Sequence, residues 1–117
     1  TALVEALNPL KLAYLHVVEG MTRGPREVTG GFDLGKLRAL FKGVYMGNNG
    51  YTRELALVRL TSGAVDLVAF GRPFISNPDL VARLRDGLPL TEPDQTTFYG
   101  GGEKGYLDYP LASGRGV

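Results

Sequence analysis

Val65-Asp-Leu-Val-Ala-Phe-Gly-Arg-Pro-Phe-Ile-Ser-Asn77 decides how the rest of this chain is read. Its apolar run Leu67-Val-Ala-Phe70 predicts a buried strand that ends abruptly at Gly71-Arg72. A glycine at the C-terminal end of a strand lets backbone approach a ligand closely, because no Cβ intervenes. The arginine after it carries a planar fork of N–H donors that matches a phosphate. Upstream, Val44-Tyr-Met46 is a second apolar run, opening into Gly47-Asn-Asn-Gly50 and then a helix. Two successive strand-to-loop units, both ending in groups suited to an anion, predict one phosphate held between neighbouring loops.

Outward from these loops, the chain punctuates itself. Thr1 to Leu7 reads as the end of a helix stopped by Asn8-Pro9. Leu12-Ala-Tyr-Leu-His-Val-Val18 is a continuous apolar run, as expected of a strand buried on both faces in a parallel sheet. Glu19 to Gly31 is glycine-rich and reads as a loop. Asp33 caps a short amphipathic helix to Leu40, Thr52 caps a second to about Leu60, and Gly63 ends it. Asn77-Pro78 reads as an N-cap and first helical position for a helix through Leu84 to a Gly87 stop. From Leu88 onward the chain is rich in proline and glycine.

Composition narrows the function classes. A charged fraction of 21% and a hydrophobic fraction of 44% are those of an ordinary soluble globular chain. A net charge of +1 argues against a nucleic-acid surface. No apolar run approaches the roughly 18 residues needed to span a bilayer. Cysteine is absent and there is 1 histidine, so thiolate and His-rich metal sites are excluded. With no signal peptide in view, a cytoplasmic location is the expectation.

The order β, α, β, α, β, α with short connections predicts right-handed parallel βαβ units. A closed (β/α)₈ TIM barrel needs roughly 250 residues and commonly places its phosphate site after strands 7 and 8. The two anion loops follow consecutive strands, and the chain ends soon after. The α/β fold expected is therefore the C-terminal part, about strands 6–8, of such a barrel over residues 1–111, with 112–117 as a flexible tail.

The residues also resemble a known family. Ala13-Tyr-Leu-His16, Gly47-Asn-Asn-Gly-Tyr-Thr52, Val68-Ala-Phe-Gly-Arg-Pro-Phe74, Ser76-Asn-Pro-Asp-Leu80, Phe98-Tyr-Gly-Gly-Gly102 and Gly105-Tyr-Leu-Asp-Tyr-Pro110 are similar to the carboxyl end of the Old Yellow Enzyme family of flavin-dependent ene-reductases. The resemblance covers nearly the whole chain. It implies a TIM barrel that binds FMN non-covalently, is reduced by NADPH or NADH, and passes hydride to an activated alkene. By position, it implies phosphate contacts from backbone at Asn49, Gly50 and Gly71 and from the Arg72 side chain, with Tyr99 on the substrate side. Where Asn49 sits the family usually has glycine, and asparagine is among the residues most tolerant of positive φ. The family's flavin-ring and proton-donating residues lie in earlier strands, so the resemblance implies no catalytic residue here and no activity of this chain alone. The partner is then the remaining N-terminal barrel polypeptide, or self-association.

The other polar residues read plainly. His16, inside an apolar run, is expected in the core. Arg83 and Arg85 read as a solvated helix face, with Asp79 one turn before Arg83. Tyr106, Asp108, Tyr109 and Pro110 read as a docking segment, and Glu19, Glu27 and Glu103 show no partner in sequence. Two non-enzymatic readings stand beside the ene-reductase: a split or engineered part-barrel that folds by association, and a phosphate-ligand binding module.

Overall fold

Apolar runs separated by helices fold here as parallel strands, because each helical crossover returns the chain to the same end of the sheet. The computed structural model describes residues 1–21, 26 and 30–112, so part of the expected Glu19–Gly31 loop lies outside the described residues. The chain comprises two compact units, Thr1–Ala69 and Phe70–Val117. The first holds α1 (Ala2–Leu7), β1 (Leu15–Val18), α2 (Gly35–Leu40), β2 (Tyr45–Asn48), α3 (Arg53–Ser62) and β3 (Leu67–Val68). The sheet order is β1-β2-β3, all parallel, with Leu15 opposite Tyr45 and Met46 opposite Leu67.

Local chemistry explains the boundaries. The Thr52 hydroxyl accepts the Leu55 N–H at 3.1 Å, and Gly63 ends α3 at φ 79°. Asp33 Oδ1 accepts the Gly35 N–H at 2.8 Å and so shapes the entry to α2. Asn8-Pro9 does not stop α1 outright but tightens it into a 3₁₀ turn, Asn8–Leu10, closed by Lys11 at φ 52°. The Asn8 amide then serves α2, donating to the Leu40 carbonyl and accepting the Lys42 N–H, each at 2.9 Å.

Phe41, Tyr45, Tyr51, Ala56 and Val65 are buried in this unit. β1 departs from expectation: it is four residues long and alternates half-buried Leu15 and Val17 with exposed His16 and Val18. It is covered on one face only, so period-2 alternation replaces burial on both faces. His16 is accordingly exposed, not a core histidine. β3 is shorter than the expected Leu67–Phe70, and its ladder closes where Ala69 N–H donates to the Gly47 carbonyl at 2.9 Å.

The second unit contains α4 (Arg72–Ser76), α5 (Leu80–Asp86) and a 3₁₀ turn at Gln95–Thr97. α4 replaces the expected loop, and Pro73 in its first turn suits a helix start. Gly87 ends α5 at φ 68° as expected, but the helix begins at Leu80 and Asn77 does not cap it. Asn77 is instead fully buried, donating to the Pro73 carbonyl (2.8 Å) and the Thr91 carbonyl (3.0 Å) and accepting the Thr91 N–H (2.8 Å).

Arg83 is also not solvated. It is 5% exposed, donating to Asp79 Oδ1 (2.7 Å), the Pro89 carbonyl (3.0 Å) and the Pro110 carbonyl (2.8 Å). Residues 88–110 form little regular structure, so their carbonyls need donors from side chains, and one guanidinium offers five. The Tyr109 hydroxyl accepts the Asp94 N–H at 2.8 Å, while Tyr106 is exposed. The Ala112 N–H donates to Asp79 Oδ2 at 2.9 Å, and residues 113–117 lie outside the described residues. Among the described residues no helix is long and apolar enough to cross a membrane, and no group of three or more potential ligands is placed to hold a metal.

Candidate functional site

The loop after β2 is shaped by positive φ at two successive residues, 96° at Asn49 and 62° at Gly50. Asn49 is one of few side chains that tolerate this, and here its amide nitrogen makes two hydrogen bonds. Asn49 Nδ2 donates to the Glu19 carbonyl (2.6 Å) and the Met21 carbonyl (2.9 Å). Its N–H donates to Asn48 Oδ1 at 2.6 Å, and its carbonyl accepts from Arg26 Nη2. The Gly50 N–H has no hydrogen-bond partner among the described residues and is a donor this loop leaves available.

In the second unit, Gly71 has φ −102°, and a Cβ built there would meet nothing within 4 Å. Neither backbone conformation nor packing among described atoms calls for glycine at this position. Arg72, the first residue of α4, is exposed, and its guanidinium has no ion-pair or hydrogen-bond partner among the described residues. Tyr99 is 88% exposed, its ring edge-on to Phe98 at 6.3 Å. A cleft of about 570 Å³ beside it is lined by Phe74, Ile75, Phe98, Lys104 and Tyr106, and Tyr99 stands outside that lining. Asn49 and Gly50 thus belong to the first unit, and Gly71, Arg72 and Tyr99 to the second.

Glu19 is the residue the sequence reading passes over. It follows β1 directly, is 3% exposed, and its Oε1 accepts the Tyr51 hydroxyl at 2.6 Å and Arg26 Nη1 at 3.0 Å. The Arg26 guanidinium also lies 4.3 Å over the Tyr51 ring. Burial first, and then the bond to Glu19 and its charge, push the Tyr51 phenol up to about 12. The Tyr45 hydroxyl is buried with no hydrogen-bond partner among the described residues, and burial and the Glu19 charge push it also to about 12. The sequence reading opens the loop at Gly47, but this glycine lies inside β2. A strand glycine often marks a close approach by another group, and a Cβ at Gly47 would fall 2.6 Å from the Tyr51 hydroxyl and 3.0 Å from Glu19 Oε1.

The sequence profile of the NADH:flavin oxidoreductase / NADH oxidase family matches residues 2–91. The chain belongs to this family. Within the NADH:flavin oxidoreductase family, 12-oxophytodienoate reductase 7 of Oryza sativa subsp. japonica is 41% identical over 94% of this chain and 32% of its own length. A probable flavin mononucleotide-dependent alkene reductase of Leishmania infantum is 41% identical over 90% of this chain and 28% of its own. Among solved structures, morphinone reductase in complex with tetrahydroNAD superposes with a TM-score of 0.82 at 41% identity, over 97% of this chain and 30% of that one. The Old Yellow Enzyme homologue of Zymomonas mobilis gives 0.82 at 40% identity. These neighbours are TIM barrels of the Old Yellow Enzyme type, and this chain is an α/β portion spanning about a third of the relatives it matches.

Proposed function

We propose that this chain supplies the FMN-phosphate half-site of an NAD(P)H-dependent ene-reductase. The observation that carries the reading is Gly71-Arg72: open space where a Cβ would stand, next to a guanidinium with no partner among the described residues. An unpaired guanidinium beside side-chain-free backbone fits a phosphate, which offers several acceptor oxygens to a planar fork of donors. Gly71 backbone and the Arg72 side chain form one phosphate-contacting segment, and the backbone of Asn49 and Gly50 forms the other. Within the latter the available N–H is that of Gly50, since Asn49 N–H is already engaged by Asn48. Tyr99, almost fully exposed, is assigned to the substrate side.

The chemistry FMN supplies when bound is acceptance of hydride from NADH or NADPH and its delivery to an activated C=C bond. The contribution of this chain is binding and orientation. It holds the phosphate, while the groups facing the flavin ring belong to the preceding strands of a barrel of about strands 1–5. On this reading residues 1–111 are the C-terminal portion of the barrel and are inactive without the rest.

The test is flavin binding by Arg72→Ala, with riboflavin, which has no phosphate, as control. Loss of a charge-assisted pair weakens FMN by on the order of 1.5–3 kcal/mol and leaves riboflavin unchanged. Equal FMN affinity in the variant overturns the assignment.

A second reading, a non-catalytic part-barrel that folds by association, is favoured by exposed apolar residues along the sheet. Tyr14, Val18 and Leu67 are 49%, 48% and 44% exposed, and open apolar sheet edges template pairing with another chain. A concentration-dependent mass without bound flavin supports it.

A further inference from the structure

Glu19 ties down the Asn48–Tyr51 loop through both its main chain and its buried carboxylate. It meets the loop directly at three points and through Arg26 at a fourth. The Glu19 N–H donates to the Asn48 carbonyl at 3.0 Å, and the Glu19 carbonyl accepts Asn49 Nδ2 at 2.6 Å. Glu19 Oε1 receives the Tyr51 hydroxyl at 2.6 Å. The same oxygen receives Arg26 Nη1 at 3.0 Å, and the other end of that guanidinium donates to the Asn49 carbonyl. Gly47 leaves room for the carboxylate–phenol pair, against which any Cβ would collide. Positive φ is costly for a residue with a Cβ such as Asn49, and the ties to Glu19 hold it there together with the bonds from Asn49 Nδ2 to the Met21 carbonyl and from Asn49 N–H to Asn48 Oδ1.

We propose that Glu19 is a positioning residue for the phosphate of the flavin nucleotide: through Tyr51, Arg26 and Asn49 it fixes the loop so that the Gly50 N–H is presented to the anion. The inference rests on the phosphate reading above. It adds that Glu19, the residue directly after β1, sets the affinity of the β2 loop. A buried carboxylate near a phosphate would repel it if left bare. Its charge is instead balanced by Arg26 and absorbed in the bond from Tyr51, so it works through geometry.

The experiment uses the full chain and three variants, Glu19→Gln, Tyr51→Phe and Arg72→Ala, titrated with FMN and with riboflavin by flavin fluorescence. Amide hydrogen exchange across Asn48–Tyr51 is followed without ligand. Glu19→Gln is expected to weaken FMN about tenfold, equivalent to about 1.4 kcal/mol, to leave riboflavin unchanged, and to speed exchange in the loop. Tyr51→Phe, which keeps the carboxylate and Arg26, is expected to move both readouts the same way and less, which settles the matter if Glu19→Gln does not fold. Unchanged FMN affinity and unchanged loop exchange overturn the proposal, as does an equal loss for FMN and riboflavin. If Arg72→Ala leaves FMN affinity intact, or the chain binds no flavin, the phosphate reading fails. Loop exchange then decides the role of Glu19: faster exchange in Glu19→Gln upholds its control of the loop, and no change ends it.

Discussion

The Tyr51 hydroxyl and the Glu19 carboxylate meet at 2.6 Å directly over the backbone of Gly47, where a Cβ would fall within 3.0 Å of both. Val65 Cγ1 closes the same space at 2.9 Å. Gly47→Ala therefore overpacks a filled site and is expected to cost about 1–3 kcal/mol, read as a lower urea midpoint.

Gly71→Ala is the counterpart. The space is open and φ is negative, so the urea midpoint is expected to stay at the wild-type value. FMN binding weakens, because the methyl group stands where phosphate oxygens approach. A fall in stability with unchanged FMN affinity would reverse both assignments.

Alkaline pH tests the buried phenols. The folded state holds Tyr45 and Tyr51 near 12, whereas a free phenol titrates at 10.0. The folded chain thus keeps protons that the unfolded chain gives up first. The associated stability is complete below pH 10 and is lost as the pH rises through about 12. Urea midpoints measured from pH 8 upward are expected to fall across that window, and Tyr51→Phe is expected to flatten the fall.

Arg83 and Arg85 lie on one helix and differ in what removal costs. Arg83→Ala leaves the Pro89 and Pro110 carbonyls and Asp79 without their buried donor. It is expected to destabilise the chain by about 3 kcal/mol. Arg85 pairs with Asp86 at the surface, and Arg85→Ala is expected to leave the midpoint unchanged. Asp79 reports the same network at low pH. The Ala112 N–H first, and Arg83 with it, hold its carboxyl below the ordinary 3.8. Its contribution is present above that value and is lost as the pH falls below it.

Asn49→Ala removes two amide bonds and sets a Cβ residue without compensation at φ 96°. Asn49→Gly removes the same bonds and relieves the backbone. The glycine variant is expected to be the more stable of the two by about 1 kcal/mol, and both are expected to be less stable than wild type. Thermal unfolding of the three proteins separates the bridging by the amide from the conformational cost.

The sequence by itself determined the α/β order, the parallel strands, the Thr52 cap and the Gly63 and Gly87 stops. These depend on period, side-chain oxygens and positive φ within a few residues, all of which are local. Only tertiary structure decided the fate of the polar residues. Glu19 and Tyr51 are 32 positions apart and Arg83 and Pro110 are 27 apart, and nothing local to Glu19, Arg83 or Asn77 distinguishes a buried, partnered group from a solvated one. His16 shows the converse: an apolar neighbourhood in sequence, yet exposed because it lies on the uncovered face of β1. Burial of a charge depends on donors and acceptors that the fold brings from elsewhere, and on sheet position, which no single strand encodes.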